Sequence, residues 1–160
     1  MEKIKGIIKD SNRVIYNGNF SKKYLSDGLE HVYGKGDVLL QPISTEEVSQ
    51  VLKYAYDNDI IVTPRGAGTN LTGSTIPTSG IILDLSLMDK ILELDNETLT
   101  ITVEPGILLC DLQKFVEEKG LFYPPDPGEK ESSIGGNIAT NAGGMRAVKY
   151  GVTRDYVQEL

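Results

Sequence analysis

The sequence predicts an α+β fold with an α/β-like core, in which helices flank a small mixed or parallel sheet. Three patterns lead to this prediction. A strand, an amphipathic helix and a second strand follow one another over residues 38–62, as in a βαβ unit. Two alternating segments, 90–94 and 99–103, surround a turn and predict a hairpin. A second amphipathic helix is expected over 108–116, and Gly120 follows its end.

The helix of the βαβ unit has a clear start signal. Ser44 and Glu47 have the spacing of a capping box, just after a short strand that ends at Pro42. The apolar positions of its expected buried face are Val48, Val51, Leu52 and Ala55. The next strand covers residues 60–62. We expect Pro64 to end its pairing, because proline has no N–H to donate.

Residues 1–36 are predicted to form an N-terminal helical cap on a larger domain, which we place at residues 37–160. Within the cap, the apolar spacing favours a short helix over 3–10, a strand fragment at 14–16 and a helical turn over 20–25. The cap has a net charge of +3, whereas the rest of the chain has −10. An anionic ligand would therefore depend on backbone N–H groups and a few local cations.

Composition narrows the class of protein. The chain has 160 residues and a net charge of −7, which suits a globular domain and disfavours nucleic acid as a partner. Cys110 is the single cysteine, so no internal disulfide can form. We find no signal peptide and no apolar run long enough for a membrane helix, so the cytoplasm is the expected compartment. The lone histidine, His31, is interpreted as a surface or packing residue.

Two stretches in the second half complete the prediction of secondary structure. Residues 80–85 form an apolar run that predicts a buried strand. Residues 121–128 contain three prolines, which exclude a helix or a central strand. The last five residues, 156–160, are expected to begin another strand.

The first motif is the loop over residues 64–73, Pro-Arg-Gly-Ala-Gly-Thr-Asn-Leu-Thr-Gly. Glycines let the backbone approach a ligand closely, and successive N–H groups in such a loop form an anion site. We interpret the loop as a pyrophosphate cradle at the end of a strand; a plain surface loop is the alternative. Leu71 stands where the usual dinucleotide fingerprint has a third glycine, and no helix is expected after it.

The second motif is the small-residue segment over 132–144, which contains four glycines. Its apolar anchors, Ile134 and Ile138, and its Asn and Thr side chains argue against a flexible linker. We expect its backbone to lie against a ligand. The three cations that follow are Arg146, Lys149 and Arg154. They would face either a phosphate group or solvent.

Taken together, these motifs resemble the FAD-linked oxidase family that has a vanillyl-alcohol oxidase or p-cresol methylhydroxylase type of FAD domain. The branch with the glycolate oxidase D subunit and the D-lactate and D-2-hydroxyglutarate dehydrogenases is the most similar. The resemblance covers residues 37–160. The matching segments, in unbroken order, are 64–69 with Leu71 and Gly73, 124–127, 134–137, 141–144 and 149–155.

The resemblance implies a noncovalent FAD and the first subdomain of the type-2 FAD-binding fold. Relatives with covalent FAD often have a histidine where this chain has Thr69. Asn70 and Ser74 stand where many members have glycine, so we expect altered hydrogen bonding there. The implied cofactor-binding residues are Arg65, Gly66, Ala67, Gly68, Thr69, Asn70, Gly73, Ser74, Pro125, Asp126, Ile134, Gly135, Gly136, Asn137, Thr140, Asn141, Gly143, Gly144, Tyr150 and Gly151.

The implied activity is hydride transfer from a 2-hydroxy acid, such as glycolate or D-lactate, to the flavin. Members of the family continue beyond this point, so we expect a fold truncated before its second subdomain. No catalytic residue and no metal ligand is assigned. The chain would be an excised piece, a truncated gene product or one part of a split enzyme. Such a piece is expected to be inactive, to bind FAD weakly and to self-associate through an open sheet edge.

Two alternatives stay open. The chain would otherwise be a non-catalytic module that binds FAD, another nucleotide or a partner chain. The second alternative is the flavin reductase of cell-wall precursor synthesis, which shares this fold, although residues 124–127 and 149–155 fit that enzyme poorly.

Overall fold

The computed structural model describes residues 2–16 and 18–160. These residues divide into two compact units, the first ending at Met88 and the second spanning Asp89–Leu160. The domain boundary near residue 36 stays a prediction. Among the described residues, no helix combines the length and the apolar character needed to cross a membrane.

The first unit is built on a mixed four-stranded sheet, as the sequence predicts. Its strands are β1 (Val14–Tyr16), β2 (Val38–Leu40), β3 (Val62–Arg65) and β4 (Ile81–Asp84). Their spatial order is β1-β2-β4-β3, with β1 antiparallel to β2, and with β2 and β3 both parallel to β4. The predicted βαβ unit is therefore present, but β4 lies between its two strands. The carboxyl ends of the parallel strands meet at one edge, where ligands bind in α/β sheets.

Two helices complete this unit, α1 (Glu2–Ile7) and α2 (Thr45–Asp57). Together with the sheet they enclose an apolar core. Its buried members are Ile4, Ile8, Val14, Val38, Leu40, Val51, Ala55, Ile81 and Leu83. The expectation that Leu52 is buried is wrong: its side chain is 46% exposed, because it lies beside the face that contacts the sheet.

The start of α2 follows the predicted cap in part. The Ser44 hydroxyl accepts a hydrogen bond from the Glu47 N–H, as expected. The Glu47 carboxylate accepts instead from the N–H of Ile43 and from both terminal nitrogens of Arg13. The charged hydrogen bond from Arg13 lowers the pKa of Glu47. This ion pair fastens the segment before β1 to the helix.

Pro64 does not end strand β3, in contrast to the prediction. It lies within the strand, opposite Leu83 of β4. Within the described residues, β3 is an edge strand that pairs with β4 on one side, so this position does not need an N–H on its open side. Pairing therefore continues to Arg65, and the loop leaves the sheet at residue 66, two residues later than expected.

The second unit contains the predicted hairpin and the predicted helix. Its elements are β5 (Ile91–Asp95), β6 (Thr100–Val103), α3 (Leu109–Glu117), α4 (Ile134–Thr140) and α5 (Ala147–Tyr150). The two strands are antiparallel, with a register shift between Ile91 and Glu93. The buried core members are Ile107, Leu109, Leu112, Val116 and Ile134.

Two features of this unit differ from the sequence-based expectations. The small-residue segment contains a helix, α4, which was not predicted because glycine has a low helix propensity. The strand expected at the end of the chain is absent from the described residues. A 3₁₀ turn, Thr153–Tyr156, stands there, and residues 157–160 have no regular structure.

Candidate functional site

The loop that leaves β3 offers a run of free backbone donors. Among the described residues, the N–H groups from Gly66 to Leu71 donate to no protein acceptor. Residues 66–70 are nevertheless half-buried. Half-buried amides without partners are costly unless water or a ligand satisfies them. With the N–H of the exposed Leu71, these five groups make six successive free donors, which is the donor set that a polyanion needs.

Gly68 brings this loop close to Arg65. Its φ is +78°, which an L side chain adopts only with strain. A Cβ atom at Gly68 would also overlap the Arg65 guanidinium. Glycine at this position therefore allows both the positive φ of the turn and the close approach to Arg65. The loop backbone lies directly against this cationic side chain.

Arg65 is buried under the loop, with 6% of its surface exposed. Its Nη1 donates to the carbonyl oxygen of Ser26 at 2.6 Å, and its guanidinium lies 5.7 Å from the centre of the Tyr24 ring. Burial lowers the pKa of Arg65, and the charge of Asp84 opposes that effect. Burial and the same carboxylate raise the pKa of Tyr24. Arg65 thus supplies a positive field beneath the loop amides.

A cleft of about 100 Å³ adjoins the start of the loop. It is lined by Lys23, Tyr24, Arg65, Gly66, Ala67, Asp84 and Ser86. The buried Asp84 carboxylate accepts hydrogen bonds from Gln41, at 2.8 Å, and from Ser86. Its oxygens are thus engaged by neutral donors.

The second half of the loop is held by side chains. The Asn70 amide donates to the Thr75 hydroxyl at 2.7 Å, and its oxygen accepts from the N–H of Thr72. Gly73 has a φ of +77°, and its N–H donates to the Asp27 carboxylate at 3.0 Å. Ser74 is exposed, and its oxygen lies 3.5 Å from the Thr72 hydroxyl. Asn70 therefore shapes the loop with its side chain.

At the start of α4, the N–H groups of the predicted residues are hydrogen-bonded within the protein. The N–H groups of Ile134 and Gly135 donate to the carbonyl oxygens of Ile107 and Pro105. The N–H of Gly136 donates to the capping hydroxyl of Ser133, and that of Asn137 to the Ser133 carbonyl. A ligand would therefore have to reach these residues through other atoms.

The segment after α4 is also folded by internal contacts. The Thr140 hydroxyl donates to the Gly136 carbonyl, and Asn141, with a φ of 48°, accepts the N–H of Arg154 on its side chain. The N–H groups from Gly143 to Arg146 have no acceptor among the described residues. These four free donors belong to the last two residues of the second motif and to the two residues that follow it.

Asp126 links two cations of the second unit. Its buried carboxylate lies 2.8 Å from the Lys130 amine and 3.4 Å from the Arg146 Nε. The hydrogen bond from Lys130, with the two positive charges, lowers the pKa of Asp126. Arg146 also packs over the Phe122 ring at 5.4 Å. Its guanidinium is therefore engaged with Asp126 and Phe122.

The remaining predicted residues have structural contacts. The Pro125 carbonyl accepts from the Gln113 amide at 3.0 Å, and the Tyr150 carbonyl accepts from the Tyr156 hydroxyl at 2.6 Å. A Cβ atom at Gly144 would overlap the Asp126 carbonyl. At Gly151 it would meet the Asp155 carboxylate.

Sequence reasoning missed three residues that contact the loop, namely Ser26, Asp27 and Gly28. Asp-Gly is a turn signal, but nothing in it predicts a contact with a loop 40 residues later. Within the described residues, no group of three His, Cys, Asp or Glu side chains could hold a metal ion. His31 is exposed.

The donors on the first loop fit the chemistry of FAD. A pyrophosphate is an anion that several parallel N–H groups and one nearby cation can bind. The loop offers six free amides, and Arg65 lies beneath it. The fit rests on hydrogen-bond donors because the chain as a whole is acidic.

Comparison with known proteins agrees with this chemistry. The family described as FAD binding domain matches residues 36–160. The chain is 45% identical to D-lactate dehydrogenase of Anaerostipes hadrus, over 100% of this chain and 34% of that protein. It is 46% identical to glycolate oxidase subunit GlcD of Bacillus subtilis (strain 168), over 92% of this chain and 31% of that protein. The chain thus spans about a third of the length of these relatives.

Solved structures give the same picture of the fold. The crystal structure of 6-hydroxy-D-nicotine oxidase from Arthrobacter nicotinovorans matches 89% of this chain and 31% of its own, with a TM-score of 0.73 and 27% identity. A chitooligosaccharide oxidase matches 95% of this chain and 33% of its own, with a TM-score of 0.79; at 16% identity it shows the fold alone. The match over residues 36–160 and the predicted cofactor agree, and the chain belongs to the FAD binding domain family.

Proposed function

We propose that the chain binds the pyrophosphate of FAD with the loop over residues 66–71. The observation that carries this proposal is the run of six successive amides, five on half-buried residues and the last on the exposed Leu71, that have no acceptor among the described residues and lie next to the buried cation of Arg65. Each amide would donate to a phosphate oxygen, and Arg65 would favour the negative charge from beneath. Such charge-assisted bonds are stronger than bonds between neutral groups.

We also propose that the residues of the second unit that were predicted from the sequence bind FAD. The four free amides from Gly143 to Arg146 support this part of the proposal. Residues at the start of α4 would act through side chains or carbonyl oxygens, since their N–H groups are bonded within the protein. FAD would be held without a covalent bond.

We further propose that the chain is part of a flavin-dependent 2-hydroxy-acid dehydrogenase or oxidase. The relatives named D-lactate dehydrogenase and glycolate oxidase subunit support this substrate class. The bound cofactor would accept a hydride, and the residues of this chain would bind and orient the cofactor. Oxidation of a hydroxyl also needs a group that takes its proton, and the exposed His31 is a poor candidate for that role.

From this we propose that the 160-residue chain alone does not catalyse turnover. An open edge of its four-stranded sheet would allow self-association. We place the protein in the cytoplasm, where its free thiol at Cys110 would stay reduced. A small 2-hydroxy acid, not a nucleic acid, would be the partner.

Two measurements test the proposal. The first is a titration of the FAD-free protein followed by flavin fluorescence, for which we expect saturable binding that competes with ADP. The second is oxidation of D-lactate or glycolate with an artificial electron acceptor. Binding without turnover supports the proposal, turnover by this chain contradicts its inactivity, and the absence of FAD binding contradicts the proposal as a whole.

A further inference from the structure

A segment outside the two motifs lies along the FAD-binding loop. It covers residues 26–35, and we call it the bracing segment. It contacts residues 64–73 at three places, Arg65, Asn70 and Gly73, and it makes a fourth contact beyond the loop, at Pro77. The bracing segment lies wholly outside the residues matched by the family, which start at 36.

The contacts at the front of the bracing segment are hydrogen bonds to the loop backbone and to Arg65. The Ser26 carbonyl accepts from Arg65 at 2.6 Å. The Asp27 carboxylate accepts from the N–H of Gly73 at 3.0 Å, and the N–H of Gly28 donates to the carbonyl of Asn70 at 2.9 Å. These bonds fix both sides of the residues whose amides are free.

Packing around the bracing segment is too close for larger residues. A Cβ atom at Gly28 would lie 2.9 Å from the Thr69 carbonyl oxygen. At the other end, the N–H of Lys35 donates to the Pro77 carbonyl at 2.8 Å. The loop backbone is therefore held by steric contact as well as by hydrogen bonds.

Asp27 has a central place in this arrangement. It is buried, with 7% of its surface exposed, and its two oxygens accept from different amides. One accepts from Leu29 within the bracing segment at 3.0 Å, and the other from Gly73 of the loop. An asparagine in its place has one oxygen, so its NH₂ group would face one of the two N–H donors.

We propose that Asp27 is a positioning residue for FAD, which holds the loop so that its six free amides converge before the cofactor arrives. A site that binds a ligand through several N–H groups has a higher affinity when these groups are aligned before the ligand binds. The proposal rests on the function proposed above for the loop, but Asp27 itself need not touch the cofactor. Its effect would pass through the bond to Gly73.

The first test compares Asp27→Asn with a matched control, Asp37→Asn. Asp37 also accepts the N–H of a glycine, Gly80, from a distant part of the sequence, at 2.9 Å. Gly80 precedes β4, whereas the loop follows β3. Since these strands are parallel, the control contact lies at their amino-terminal ends and the loop at their carboxyl ends. For Asp27→Asn we expect a dissociation constant for FAD about tenfold higher, the effect of one charged hydrogen bond.

A second readout does not depend on FAD. Amide order parameters measured by NMR on the cofactor-free protein report the motion of residues 66–72 directly. We expect these parameters to fall in Asp27→Asn and to match the wild type in Asp37→Asn. Gly28→Ala should act in the same direction, because its Cβ would push on Thr69. Gly6→Ala serves as its control, because no described atom would lie within 4 Å of a Cβ at Gly6.

The outcomes separate the two proposals. Lower order parameters confined to the loop, with weaker FAD binding, support the positioning role. Unchanged order parameters and affinity in Asp27→Asn overturn it, as does a uniform loss of order across the first unit, which would make Asp27 merely structural. If the wild type binds no FAD, the proposed function fails, while the order parameters still decide whether Asp27 holds the loop.

Discussion

The two glycine-rich segments have similar compositions but differ in what their amides do. In the loop after β3, the N–H groups from Gly66 to Leu71 have no acceptor in the part of the chain that the structure describes. At the start of α4, those of residues 134–137 all donate within the protein. Glycine serves the first segment by allowing a turn over Arg65, and the second by allowing close packing, as at Gly135 against Pro105.

This difference shows that glycine content alone does not identify a contact with a ligand. A segment that binds a ligand through its backbone has to leave its N–H groups free, whereas a segment that packs within the protein uses its N–H groups in internal hydrogen bonds. Free amides resume in the second segment only at Gly143. We therefore expect substitutions in the first loop to change FAD affinity, and substitutions around α4 to change mainly stability.

The largest effect is expected for Gly68→Val. Its positive φ and the overlap of a new Cβ with Arg65 would force the loop to move. We predict at least a hundredfold loss of FAD affinity, measured by fluorescence titration. Gly120→Val is the control, because Gly120 also has a positive φ, +75°, but nothing within 4 Å. Equal losses in both variants would show that strain in general, and not the loop, weakens binding.

The next largest effect is expected for Gly135→Ala. The new Cβ would lie 2.8 Å from the Pro105 Cβ and 2.9 Å from its carbonyl oxygen, so α4 would have to shift. Overpacking of this kind costs about 1–3 kcal/mol in the free energy of unfolding, which urea denaturation would measure. A variant that is fully stable but has lost FAD binding would break the comparison, since Gly135 would then act as a ligand contact.

A smaller effect is expected for Asp126→Asn, which removes the partner of Lys130 and Arg146 near the second segment. Because the folded protein lowers the pKa of Asp126, its carboxylate stabilises the fold above a pH of about 4, its ordinary value, and less as the pH falls further. We predict a loss of about 1–2 kcal/mol at pH 7 that shrinks in acid. A loss independent of pH would contradict the ionic role.

The smallest effect is expected for Ser133→Ala, which removes the hydroxyl that accepts the Gly136 N–H. Loss of such a cap costs about 1 kcal/mol in the free energy of unfolding. FAD affinity should change by less than about twofold. Ser44→Ala, at the equivalent position of α2, should show a similar loss of stability and would calibrate the cost of a cap in this protein.

The sequence predicts much of this molecule because several elements have local signals. The capping serine at Ser44, the alternation of the hairpin and the periodicity of α3 all predict elements that are present. The first loop is also visible, since its glycines and its place after a strand are local features. FAD as cofactor and the small mixed sheet agree with the family and the fold.

The features that were missed depend on distant parts of the chain. Helix α4 forms despite two glycines because Ile107 and Pro105 accept its first amides. Pro64 is tolerated because β3 has one neighbour, which the sequence does not specify. The contact between Asp27 and Gly73 joins residues 46 apart, and no local pattern predicts it.

Hydrogen exchange with and without FAD tests the central claim most directly. In the cofactor-free protein, the amides from Gly66 to Leu71 should exchange rapidly, because they have no acceptor, while those of residues 134–137 should be protected. Saturation with FAD should slow the loop amides by at least tenfold and leave the start of α4 nearly unchanged. Loop amides that exchange equally fast in the FAD-saturated protein would contradict the claim that they bind the pyrophosphate.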